Sequence, residues 1–226
     1  MSLKYGMLGL LSKWEATGYD IKKEFDSFMS IFWHTHLSQI YPELSKLEKE
    51  KLIESRMIPQ DGKPDKKLYS ITDEGRQELS YWLETPPESP NVKDSFLMQT
   101  FFMDNLSAKE VIFQLKHYQK QREARLKKLK HTLYEKWQQI KENEKFSSRI
   151  LMSSVVLKRG LEQEEEYILW CKRTIELVES MEHLWDAEKD NKVAAVEEVT
   201  GLFYRYFEVE DEEGLKNRFN SGDFLV

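Results

Sequence analysis

A single cysteine, Cys171, stands in 226 residues. One thiol can neither close an intramolecular disulfide nor supply a paired-cysteine zinc site. Glycine and proline are also sparse, at nine and six residues. That is too little turn chemistry for an all-β sandwich or barrel, which needs a turn signal every ~8–12 residues. It also leaves too few glycines for the phosphate-cradling loops of common nucleotide enzymes. No run approaches the ~18 uninterrupted apolar residues of a membrane span. The opening Met1-Ser2-Leu3-Lys4-Tyr5 does not read as a signal peptide. A soluble, cytoplasmic protein rich in helix formers is therefore expected, with no cofactor and no membrane partner.

Charge is plentiful but uneven. The net charge is −6, from 34 basic and 40 acidic residues. It divides into −2 over residues 1–85, +3 over 86–180 and −7 over 181–226. An acidic total does not by itself favour a polyanionic partner. Binding is decided by a local basic face, and the acidic C-terminal segment masks any such face in the overall figure.

Along the N-terminal part, Leu3, Met7, Leu10 and Leu11 recur at helical spacing. A break follows at Gly18. A second short helix is predicted from about Asp20 to Met29, with Ile21, Phe25, Phe28 and Met29 inward and Lys22 and Lys23 outward. A third helix is predicted to start near Ser38, whose hydroxyl suits an N-cap. Pro42 then falls close to the first turn, where a missing N–H is tolerated. Ile40, Leu44, Leu47 and Lys51 form one stripe; Ser38, Gln39, Tyr41, Ser45, Lys46 and Lys49 fall off it and face outward. Residues 52–58 and 67–71 read as the strands of a hairpin turned at Asp61-Gly62, with Pro64 beside it. Thr72 then starts a helix reaching Leu83, with Leu79, Trp82 and Leu83 as its apolar residues. Half of all prolines lie in Pro86-Pro87-Glu88-Ser89-Pro90, which marks the predicted domain boundary.

Beyond the boundary the helices lengthen. Ser107-Ala108-Lys109-Glu110 reads as a capping box. After it Val111, Leu115, Tyr118, Leu126, Leu129, Leu133, Trp137 and Ile140 keep a helical rhythm, with Arg122 filling the one missing step. That predicts a helix of roughly thirty residues, ~45 Å long. A second long helix is predicted over residues 147–180. Its stripes are Leu161, Ile168 and Ile175, and Leu157, Glu164, Cys171 and Val178, with Glu164 interrupting the apolar pattern. Two such helices leave apolar faces over, so a coiled-coil-like hairpin that dimerises is the expected arrangement. Val193, Val196, Val199, Phe203 and Phe207 suggest one more amphipathic helix. Residues 208–213, with five acids in six, are expected to be solvated.

Three short helices followed by a β-hairpin is the order of a winged helix. In that arrangement the third helix offers its polar face to the DNA major groove, and the hairpin brings cations to the neighbouring backbone. Ser38, Gln39, Tyr41 and Lys46 on the helix, and Lys63, Lys66 and Lys67 around the hairpin turn, are the candidate DNA-contacting residues. The Gln39 amide has the paired donor and acceptor that read an adenine edge, and Tyr41 can reach a phosphate or a base.

The run Gln39-Ile40-Tyr41-Pro42-Glu43-Leu44-Ser45-Lys46-Leu47-Glu48-Lys49-Glu50-Lys51-Leu52-Ile53-Glu54 resembles the recognition helix and first wing strand of PadR-type transcriptional regulators. Gly18-Tyr19-Asp20-Ile21 is similar to the start of that family's second helix, and residues 62–76 to its wing and following helix. The proline-rich boundary and the two long helices resemble the larger C-terminal helical domain of one branch. The resemblance does not extend to residues 181–226. It implies a homodimeric DNA-binding regulator, usually a repressor, held together by its C-terminal helices. Two recognition helices would then meet successive major grooves of a near-palindromic operator, ~34 Å apart. It further implies release by a small aromatic effector. Lys51 departs from the pattern, since glycine usually ends the recognition helix there, so a different helix-to-wing turn is expected.

The expected organisation is thus a DNA-binding domain over 1–85, a dimerisation domain over 86–180, and an additional helix with an acidic tail over 181–226. An alternative is a protein-interaction module that uses the winged helix and long helices for assembly, favoured by the acidic balance at both ends. His34-Thr35-His36 is too small a set for a metal site. Cys171 reads as a small core residue. Trp14, Trp33, Trp82, Trp137, Trp170 and Trp185 read chiefly as core. No arrangement of Ser, His, Asp or Cys points to an enzyme.

Overall fold

The computed structural model describes residues 2–27, 29–33, 35–60, 62, 65–87, 89, 93–143, 148–185 and 196–220. Helix α1 (Ser2–Leu11) is followed by the two-residue strand β1 (Ala16–Thr17), α2 (Gly18–Ser27) and α3 (Leu37–Lys49). Strands β2 (Ile53–Ile58) and β3 (Lys66–Ile71) form the hairpin, and α4 (Asp73–Glu84) follows. Then come α5 (Ser95–Phe101), the long helices α6 (Ala108–Asn143) and α7 (Ser148–Ser180), and the shorter α8 (Glu182–Trp185), α9 (Val196–Tyr206) and α10 (Glu212–Asn220). Two compact units emerge, one of residues 1–92 with 132–160, the other of 93–131 with 161–226. The fold is the expected mostly α one, with a winged helix leading into long helices.

In the first unit one core is assembled from each element in turn. Met7, Leu8 and Leu11 of α1, Ile21 and Phe25 of α2, Ile40, Leu44 and Leu47 of α3, and Ile53, Tyr69 and Ile71 of the hairpin pack together. Phe28, counted inward from the sequence, lies outside the described residues, as do His34, Asp61, Lys63 and Pro64. The sheet order is β1-β3-β2, all antiparallel, with Ile53 opposite Ile71 and Ile58 opposite Lys66. Strand β1 was not read from the sequence, because two residues are too short to show alternation. Trp82 and Leu83, taken as the apolar side of α4, are 40% and 67% exposed.

Two details of α3 correct the sequence reading. The helix begins at Leu37 with His36 as N-cap, two residues before Ser38. Gln39 is what closes this end: its Oε1 accepts from the His36 N–H at 3.1 Å and from Thr35 Oγ1 at 3.2 Å. With that start, Pro42 lies in the second turn rather than the first, so the Ser38 carbonyl gets no bond from residue 42.

The other end keeps the glycine-type turn despite its lysine. Lys51 adopts φ 59°. Leu52 N–H reaches the Leu47 carbonyl at 3.0 Å and Lys51 N–H the Glu48 carbonyl at 3.1 Å, the paired bonds of a Schellman cap. The expectation of a different turn is therefore overturned. The surroundings account for it: Thr72 Oγ1 donates to the Lys51 carbonyl at 2.7 Å and Thr72 N–H to the Leu52 carbonyl at 3.1 Å. Thr72 also caps α4 through Gly75 N–H, as read from the sequence. Gly75 itself is there for space, since a Cβ would stand 2.0 Å from the Leu52 carbonyl oxygen.

In the second unit Phe96, Met103, Ala108, Val111, Leu115, Ile175 and Val178 form the core. Ser107 and Glu110 make the predicted capping box, with Ser107 N–H donating to Glu110 at 2.9 Å. Exposed ion pairs Lys116–Glu179 and Lys130–Glu165 run along the antiparallel pairing of the two long helices here. Leu157, Glu164, Cys171 and Val178, the sevenfold line read on α7, are all buried. Helix α9 carries Val196, Val199 and Phe203 of the predicted additional helix, while Phe207 follows its end and Val193 lies outside the described residues. The acids of residues 208–213 are exposed, and the last two begin α10, which was not foreseen.

Candidate nucleic-acid interface

Helix α3 is sharply two-sided. Ile40, Leu44 and Leu47 are wholly buried, while Ser38, Gln39, Tyr41, Ser45, Lys46 and Lys49 are all exposed. The split follows from the 3.6-residue period: the apolar stripe must reach the core, so its opposite side is left to solvent. The side read from the sequence as DNA-facing is thus available rather than packed.

Each candidate residue has a definite setting. The Tyr41 ring is 49% exposed and leans on Gly18, where an added Cβ would stand 2.6 Å from the ring. Lys46 is loosely paired with Glu50 at 3.9 Å. Gln39 is engaged at the helix start through Oε1, so reading a base with donor and acceptor together requires that cap to open. Lys66 is exposed on β3 opposite Ile58. Lys67, opposite Met57, is held by Glu48 at 2.8 Å and lies 5.1 Å from the Tyr69 ring centre. The Glu48 carboxylate, which also accepts from the Ser55 hydroxyl, is held below its ordinary range by the Lys67 ammonium first and Ser55 second. Lys63 lies outside the described residues.

Two features of this surface were missed. Arg56 is an exposed β2 cation paired with Glu15, 41 residues earlier in sequence. No sequence pattern announces a pair so distant. Helix α2 begins with a reciprocal cap in which Thr17 N–H and Oγ1 donate to Asp20 and Asp20 N–H returns to Thr17 at 3.2 Å. The Thr17–Asp20 spacing of a capping box was the available signal. It fixes Gly18, and with it the floor under Tyr41.

A second concentration of chemistry lies in the other unit. Phe96 stacks on Tyr118 with centroids 3.6 Å apart, and Trp170 meets Phe96 and Tyr167 edge-on. The Arg122 guanidinium lies over both tyrosine rings, 4.6 and 4.2 Å from their centres, and donates to the Tyr118 hydroxyl. The Tyr167 hydroxyl donates to Asp94, which caps α5 through Phe96 and Leu97 N–H. Burial, then Asp94, pushes the Tyr167 hydroxyl up. Of the other tryptophans, Trp185 donates to the Leu106 carbonyl at 2.9 Å and Trp14 lies under Arg149. Trp33, Trp82 and Trp137 are exposed, against the reading of all six as core. Among the described residues no group of three His, Cys, Asp or Glu could hold a metal ion. Among them too, no helix is long and apolar enough to cross a membrane.

Known proteins share this arrangement. Residues 7–81 match the transcriptional regulator PadR-like family and residues 92–179 match the virulence activator alpha C-terminal family. The chain is 39% identical over 178 residues to the negative transcriptional regulator PadR of Bacillus subtilis, covering 78% of this chain and 97% of that one. The crystal structure of B. subtilis PadR in complex with operator DNA is similar with TM-score 0.69 and 36% identity, over 79% of this chain and 99% of the other. The same regulator in complex with p-coumaric acid gives TM-score 0.64 and 34% identity, over 79% and 99%. The virulence activator AphA of Vibrio cholerae, at 24% identity and TM-score 0.63 over 79% of this chain and 99% of its own, shares the fold.

Proposed function

Because this chain belongs to the PadR-like family of transcriptional regulators, we propose that it is a homodimeric repressor that binds a near-palindromic operator and is released by a small aromatic effector. Residues 1–85 bind DNA, 86–180 dimerise, and 181–226 form an additional segment that carries α8, α9 and α10. The exposed polar side of α3, next to a lysine-bearing wing, is the observation that carries this reading. Ser38, Tyr41, Lys46 and, once its cap opens, Gln39 enter the major groove; Lys63, Lys66 and Lys67 contact phosphates.

The operator-bound relative supports the DNA partner, and the relative's description as a negative regulator supports repression. Dimerisation is supported by apolar side chains left exposed on the long helices: Leu133 and Trp137 on α6, and Leu151, Met152 and Val155 on α7. An exposed stripe of this kind on helices gains by meeting a second copy. The effector is supported by the p-coumaric acid complex of the relative.

The test is a titration of the purified protein against a duplex from upstream of its own gene and against a random duplex, over a series of salt concentrations. Preference for the former, with affinity falling steeply as salt rises, is expected. Addition of a phenolic carboxylate should release the duplex, and sedimentation should give a dimer. Absence of any preference, or a strictly monomeric particle, overturns the proposal.

A further inference from the structure

We propose that Glu48 is a positioning residue of the wing: its carboxylate holds Lys67 in the free protein and surrenders it to a DNA phosphate on binding, so that Glu48 moderates affinity for every duplex. This rests on the DNA-binding reading above. Glu48 lies in the last turn of α3, and its two oxygens reach both strands of the hairpin. Oε1 accepts from Ser55 on β2, and Oε2 lies 2.8 Å from Lys67 Nζ on β3. One carboxylate thereby ties the recognition helix to the wing at the point where both would meet the duplex.

Most exposed ion pairs contribute little, because two long side chains lose freedom for a screened attraction. Here the carboxylate is already held by Ser55 and the ammonium rests near the Tyr69 ring, so less freedom remains to be lost. Lys46, facing Glu50 at 3.9 Å, has no such arrangement. Lys67 and Glu48 side chains are still 42% and 33% exposed, so a phosphate can reach the ammonium. The hydrogen bond between the two raises the Lys67 ammonium as it lowers the Glu48 carboxyl, keeping both charged at neutral pH. A phosphate oxygen offers the same ligand to the ammonium as the carboxylate does. Binding therefore exchanges one anion for another at Lys67, and the freed Glu48 charge is left facing the backbone.

The experiment is a double-mutant cycle in the full chain, read as affinity for a random duplex and for the upstream duplex. Glu48→Gln keeps an acceptor for Ser55 and removes the charge. It is expected to bind both duplexes roughly two- to five-fold more tightly, the scale of one exposed pair. The gain should shrink when Lys67→Ala is added, because only the direct repulsion between Glu48 and the DNA backbone then remains to be relieved, and Lys67→Ala should weaken binding more in the Glu48→Gln background than in the wild type. Ser55→Ala, which loosens the carboxylate without changing charge, should shift affinity the same way by less. A gain that persists undiminished without Lys67, or weaker binding by Glu48→Gln, overturns the inference while the DNA-binding reading stands. A wild-type chain that binds no duplex overturns both.

Discussion

Arg122 Nη1 lies 3.3 Å from each carboxylate oxygen of Glu164, and Glu164, at 2% exposure, is also held by Arg125 Nε at 3.0 Å. These are the two positions at which charge interrupted the apolar stripes of α6 and α7. Removing one partner strands a buried charge, whereas removing both does not. Glu164→Ala should destabilise the chain by about 3–5 kcal/mol, while Arg122→Leu with Glu164→Leu should recover most of that loss. Urea unfolding followed through tryptophan fluorescence measures both. Equal losses in the single and double variants would contradict the pairing.

Lys51, at φ 59°, holds a left-handed conformation that a side chain disfavours by about 1–2 kcal/mol. Lys51→Gly should therefore raise the midpoint of thermal unfolding, and Lys51→Val should lower it. A destabilising glycine would mean that the lysine side chain makes a contact worth more than the strain.

Tyr41→Phe keeps the ring on Gly18 and removes the hydroxyl alone. Thermal stability should be unchanged, and affinity for the upstream duplex should fall roughly three- to ten-fold through loss of the proposed hydroxyl contact to DNA. Gly18→Ala, by contrast, should lower stability and affinity together, because the ring must move. Melting curves and duplex titrations on the same preparations separate the two effects.

Burial alone would raise the Asp94 carboxyl, but Tyr167 and the Leu97 and Phe96 N–H groups together hold it below its ordinary value of 3.8. A depressed folded value means that the stabilisation is complete above that ordinary value and is lost as pH falls through the folded one. Stability measured by urea midpoint should thus be flat from neutral pH to about 5 with respect to this group, then decline. Asp94→Asn should show a shallower acid decline; an unchanged one would argue against the cap.

Cys171 is wholly buried, and burial pushes its thiol up to about 11. It should not react with a thiol reagent at pH 8 until urea unfolds the chain. Prompt labelling of the folded protein would show that α7 opens locally.

Much of this protein was legible along the chain because its elements obey simple periods. The apolar stripe of α3, the Thr72 cap, the hairpin and the two long helices all follow from spacing and side-chain chemistry within a few residues. The candidate interface was legible for the same reason: polar residues off a buried stripe have only solvent or a partner to face. What neighbours in sequence could not specify was decided by distant groups. The start of α3 moved to His36 because Gln39 and Thr35 close it together, and Lys51 entered a glycine-type turn because Thr72, 21 residues on, holds its carbonyl. Arg122 and Glu164 read separately as blemishes in two patterns and became one ion pair only when the helices packed. Local period and propensity are written in the chain, but which polar group meets which is set by the path that brings them together in space.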